Sequence, residues 1–63
     1  MDLIEHWQTA ARLLRQYGNS AEEECAARAS YHQMQRDEAE AHRWRLIKGL
    51  VERLRKGERA PLG

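Results

Sequence analysis

Residues 44–54 read Trp44-Arg45-Leu46-Ile47-Lys48-Gly49-Leu50-Val51-Glu52-Arg53-Leu54, and within them Trp44, Ile47, Val51 and Leu54 recur at steps of three and four. That spacing puts the four side chains on one side of an α-helix. A second set near the N-terminus, Ile4, Trp7, Ala11 and Leu14, repeats the pattern and also carries one tryptophan. Two such stripes give a chain of 63 residues the means to build a core. They name no substrate and no chemistry.

Outward from Trp44, the punctuation on both sides defines a long helix. Towards the C-terminus, Arg53, Arg55 and Lys56 sit where the helix dipole favours positive charge, and Gly57 suits a left-handed cap. Upstream, Asp37 is an N-cap candidate with Glu40 three residues later. The spacing predicts a helix over about 38–56, roughly 28 Å long at 1.5 Å per residue. Residues 58–63, with Pro61, read as a short disordered tail beyond a single domain over 1–57.

The same reasoning yields two earlier helices. Asp2 with Glu5 predicts the start of a first helix over 3–17, and Gly18 its left-handed stop. Asn19 or Ser20 then caps a second helix over 20–35, whose first turn holds Glu22, Glu23 and Glu24 at the positive end of the dipole. Its inward face reads Ala21 or Glu22, Cys25, Ala29 and His32, with Ala26 and Met34 at the margins. Arg36 fits its C-terminal end. There is no strand-like alternation and no internal repeat. Short connections imply antiparallel neighbours. The expected fold is therefore all-α, a small three-helix up-down-up bundle with the Ala-rich helix in the middle, flanked by the two tryptophan-bearing ones.

Composition agrees. Hydrophobic residues make up 41% and charged residues 33%, with no Phe and one Pro. That is too apolar and too periodic for a disordered chain. The net charge of +1 excludes a strong overall field. A domain this short buries only about 60% of its unfolded surface, so regular helix packing or association has to help it. Cys25 is the only cysteine, which excludes an internal disulfide. No targeting segment or bilayer-length apolar run is visible, so a cytoplasmic location without membrane contact is expected.

The string Trp7-x-x-Ala10, Leu13/Leu14, Tyr17-Gly18, Ala21, Cys25-Ala26-x-Arg28-Ala29, Asp37, Trp44-Arg45-x-Ile47 and Val51-Glu52-x-Leu54 resembles a group of small alphaproteobacterial helical proteins without an established function. The resemblance spans residues 4–54 and rests on turn signals and core positions. It implies an architecture: an aromatic first helix, an Ala-rich second helix, and a third built on Trp-x-x-Ile. It implies no catalytic residue. Arg36 departs from the pattern, because the group tends to carry glycine before the aspartate, and this leaves the second turn open.

No constellation points to catalysis or a cofactor. Cys25 and His32 lie two turns apart, roughly 10 Å along the helix axis, too far to share an ion or a hydrogen bond. His42 would have to reach across from another helix, and a fourth ligand is missing. A Cys25–His32 nucleophile pair has no orienting third group and no oxyanion hole. Glu22, Glu23 and Glu24 fan out around a helix and do not converge. Trp7 and Trp44 could stack on a ligand, but their heptad spacing reads as core. The expectation is a non-enzymatic protein without cofactor, metal or small-molecule ligand.

The charge of the third helix is the strongest functional hint. From Ala41 to Arg59 there are seven Lys or Arg residues against Glu52 and Glu58. They go round the helix and form no single stripe: Arg45, Lys48, Glu52 and Arg55 share one face, with Arg43 and Arg53 elsewhere. Leu46 and Leu50 stand apart from the Trp44 stripe; with Leu3, Leu13 and Met34 they widen the apolar surface, either completing the core or forming an exposed patch. The expected function is protein–protein contact, including self-association as a homodimer. Its contact set is Arg43, Trp44, Leu46, Lys48, Leu50, Arg53 and Arg55. The alternative is a nucleic-acid-binding accessory that uses the basic third helix.

Overall fold

Three backbone punctuation points, at Gly18, at Arg36–Asp37 and at Gly57, decide where the helices end. The computed structural model describes residues 3–59. In chain order they form α1 (Leu3–Tyr17), a 3-10 turn (Gly18–Ser20), α2 (Ala21–Met34) and α3 (Glu38–Arg55). No strand occurs among the described residues. Asp2, expected to cap α1, lies outside the described residues, as do residues 60–63 of the expected tail. No described helix is long and apolar enough to cross a membrane.

Gly18 adopts φ 56°, the left-handed conformation expected of it. The chain then enters the 3-10 turn and continues directly into α2, so 3–34 is one helical stretch bent at Gly18–Ser20. Ser20 occupies the N-cap position of α2 but makes no side-chain cap bond. The turn replaces it: the Ala21 N–H donates to the Gly18 carbonyl, so backbone carbonyls of the bend do part of the capping.

The α2–α3 connection closes without glycine. Arg36 takes φ 61°; its N–H donates to the Gln33 carbonyl (3.0 Å), and the Asp37 N–H donates to the His32 carbonyl (2.8 Å). The end of α3 repeats the pattern with glycine: Gly57 at φ 93° donates to Leu54 O (3.0 Å), and Glu58 N–H to Arg53 O (2.9 Å). Both are Schellman closures. The left-handed position costs a residue with a Cβ about 1–2 kcal/mol, so Arg36 accepts strain that Gly57 avoids. Glu58, expected to begin the tail, belongs to the second closure.

Asp37 caps α3 as its position predicts, with Oδ1 accepting from the Glu40 N–H at 3.2 Å. The reciprocal half of a capping box is absent. Asp37's own N–H already serves α2, and the Glu40 carboxylate turns to Arg43 at 3.6 Å.

The core joins Trp7, Ala10 and Leu13 of α1, Ala21, Cys25 and Ala29 of α2, and Trp44, Ile47, Leu50 and Val51 of α3. Leu14, Tyr17 and Leu54 pack on it, half-buried. Small residues on α2 allow close approach to α3, and the α2–α3 seam is the most extensive in the molecule. The central helix is not the expected one: α3 packs against both α1 and α2, which scarcely touch each other. The Ala-rich helix is an outer wall because its small face matches the bulky face of α3, and the bend at Gly18 carries α1 away from it. The α1 stripe is also rotated. Ile4 stays exposed while Trp7, Ala10 and Leu13 go inside, together with His6. Apolar residues from Leu3 to Leu14 span a broad arc of α1, and its contact with α3 selects which part is buried.

Candidate functional site

α3 presents two faces to different neighbours. The Trp44–Ile47–Val51 face closes on α1 and α2, with Ile47 and Val51 wholly buried. On another face Arg45, Gly49 and Arg53 follow at one-turn intervals, with Leu46 and Leu50 beside them. With Leu3 from the start of α1, these residues line an open groove of about 280 Å³. Leu50, 7% exposed, belongs to both core and groove floor, whereas Leu46 at 42% and Leu3 at 57% stand in solvent. The pair that the sequence left ambiguous therefore divides, with Leu50 in the core and Leu46 outside it.

The seven residues expected to form a contact set do not make one surface. Trp44 is a core side chain whose ring lies 4.8 Å from the Arg28 guanidinium and 5.4 Å from that of Arg43. Its indole Nε1 is buried and has no hydrogen-bond partner among the described residues. Arg43 is further engaged by Glu40. Arg55 latches the bend: Nε pairs with Glu22 Oε1 at 2.9 Å and Nη2 donates to the Gly18 carbonyl at 3.3 Å. Lys48 lies on another side, in a cleft with Asn19, Glu22, Glu23 and Ala26. Leu46, Leu50 and Arg53 come together, in the groove.

The contact set expected from the sequence omits Leu3, Arg45 and Gly49, although Leu3 counts there with Leu46 and Leu50 as surplus apolar surface. The spacing of Arg45, Gly49 and Arg53 was a readable signal for one helix face. Spacing does not place Leu3 beside Leu46, because only the α1–α3 crossing brings the two together.

Charge is distributed unequally around α3. Arg28 pairs with Glu24 at 3.3 Å and donates to Tyr17 Oη at 3.4 Å. Arg43 and Arg55 also face carboxylates. At the groove, Arg45 donates to the neutral Gln33 Oε1, and Arg53 makes no ion pair among the described residues. The groove thus has an apolar floor between two cations that no carboxylate among the described residues pairs.

The other chemistry-bearing residues are dispersed. Cys25 is wholly buried, and burial pushes its thiol above the ordinary value of 9.0, against a smaller opposing effect of Arg28. His32 lies in the last turn of α2 with Nδ1 4.0 Å from Asp37 Oδ2, while His42 is exposed on α3. Among the described residues no group of three His, Cys, Asp or Glu side chains is placed to hold a metal ion. Comparison with known proteins finds no matching family model, no matching curated protein and no matching solved structure.

Proposed function

We propose that this chain is a small non-catalytic cytoplasmic module, a three-helix up-down-up bundle, that acts by binding protein through the groove between α3 and the start of α1. One observation carries the reading: Leu3 and Leu46 remain in solvent beside Leu50, between Arg45 and Arg53, on a domain short of buried surface. Association would bury that patch without disturbing the Trp44 seam. Self-association belongs to the same reading. The resemblance to small alphaproteobacterial helical proteins supports the architecture within it and supplies no activity.

The test compares the wild type with a Leu46→Asp variant by sedimentation over a wide concentration range and by isolation of partners from the source cells. The variant should melt like the wild type and lose the self-association or specific partner that the wild type shows. The reading fails if the wild type is monomeric at every concentration and retains nothing that the variant lacks.

Nucleic-acid binding by α3 is the second reading, supported by the absence of ion pairs at Arg45, Lys48 and Arg53 among the described residues. Glu22 and Glu23 beside Lys48 oppose a continuous phosphate track. This reading requires binding to a short DNA or RNA duplex that weakens steeply from low to moderate salt. Lack of binding at low salt removes it.

A further inference from the structure

Gly49 lies in the middle of α3, where glycine weakens a helix relative to alanine. Nothing among the described residues requires it. Its φ is not positive, and a Cβ built there meets no atom of the described residues within 4 Å. Its bare backbone lines the groove between Leu46 and Leu50. What the missing side chain permits is close approach by something outside the chain.

The groove's ends carry one sign of charge. Arg45 and Arg53 are eight residues apart, about 12 Å along the helix at 1.5 Å per residue, and they bracket Leu46, Gly49 and Leu50. We infer that this groove docks an acidic amphipathic α-helix of a partner protein, with its apolar side chains against Leu3, Leu46 and Leu50, its backbone close over Gly49, and carboxylates two turns apart on Arg45 and Arg53. The mode is helix-in-groove recognition, in which apolar anchors provide adhesion and charges fix register and direction. The inference rests on the protein-binding reading above and assigns the partner's chemistry.

A second copy of this chain fits the same groove less well. A two-fold pair is self-complementary. With its axis through Gly49 and the two α3 helices antiparallel, Arg45 of each copy faces Arg53 of the other. Like charges then meet at both ends of the groove, where the proposed helix places carboxylates.

The experiment uses two synthetic helical peptides of about 16 residues, each with leucines at three- and four-residue spacing. One carries two Glu two turns apart at the rim of the apolar stripe, and the other carries Lys there. Binding of each labelled peptide to the full chain is read by fluorescence anisotropy at low and high salt, with sedimentation of the chain alone in parallel. The Glu peptide should bind about ten-fold tighter than the Lys peptide at low salt, as expected for two partly exposed charge contacts, and high salt should erase most of the difference. Arg45→Glu together with Arg53→Glu should reverse the order. Gly49→Leu should abolish binding while its thermal midpoint stays at or above that of the wild type.

Equal binding of the two peptides would overturn the acidic partner and leave the groove as a protein-binding face. Self-association that Gly49→Leu dissolves would assign the groove to a second copy instead. Failure of both peptides to bind, with no self-association, would overturn this inference, while the protein-binding reading stands or falls on the partner isolation described above. Unchanged peptide binding by Gly49→Leu would remove the groove as the seat.

Discussion

The two faces of α3 use the same residue types to opposite ends. On the sealed face Trp44, Ile47 and Val51 are inside, and the cations around them are engaged: Arg28 by Glu24 and the Trp44 ring, Arg43 by Glu40 and the same ring, Arg55 by Glu22 and the bend carbonyl. On the open face Leu46 stays in solvent, Gly49 presents bare backbone, and Arg45 and Arg53 have no carboxylate among the described residues. The contrast teaches that basic and apolar composition alone does not mark a binding surface. What separates the faces is whether the chain has already supplied a partner for each group.

The largest test of this division is Trp44→Ala. Removing a buried indole should cost roughly 3–5 kcal/mol, enough to abolish cooperative unfolding in urea or leave it at a much lower midpoint. A variant that unfolds like the wild type would mean that the face is not sealed. Cys25 tests the same seam through pH. Its thiol ionises at higher pH in the folded chain than in the unfolded chain, so the two states bind protons equally at neutral pH and stability does not vary through this group. Above 9.0 the unfolded chain loses the proton first, and stability should fall by up to about 1.4 kcal/mol per pH unit. Urea unfolding of the wild type and Cys25→Ala between neutral and alkaline pH checks this, since the variant should lack that part of the decline.

On the open face the expected effects are smaller, and one has the opposite sign. Gly49→Ala should raise stability by about 1 kcal/mol, the difference in helix propensity, because the added methyl meets no neighbour among the described residues. A lower thermal midpoint would reveal a packing need for glycine. Leu46→Ser should shift stability by only about 0.5 kcal/mol, the usual range for exposed positions. A shift as large as that of Trp44→Ala would place Leu46 in the core.

Much of the fold was legible because local signals and tertiary packing agree. Gly18, Asp37 and Gly57 act where turn and cap chemistry places them, and the Trp44 stripe is buried as spaced. Relations between elements were not legible. The α1 apolar arc is broad, so spacing alone does not fix which part faces α3, and it places Ile4 inside where Leu13 belongs. Three helices joined by short turns are compatible with either α2 or α3 in the middle, and the match of small α2 residues to bulky α3 residues decides it. Arg36 gave no sequence signal for a left-handed turn, since that conformation favours glycine. For the site, the sequence supplied Leu46, Leu50 and Arg53. It also included Trp44, Arg43 and Arg55, whose engagement within the fold depends on Arg28, Glu22 and Glu40 in three dimensions.

The central claim is that α3 holds the fold with one face and receives an acidic partner helix with the other. Backbone amide chemical shifts of the labelled full chain, titrated with the Glu-bearing helical peptide, test it most directly. The account predicts shifts concentrated at Leu3, Arg45, Leu46, Gly49, Leu50 and Arg53, with Ala21, Cys25 and Ala29 on the far side of the core unmoved. Shifts centred on Lys48, Glu22 and Glu23, or none at saturating peptide, would contradict it.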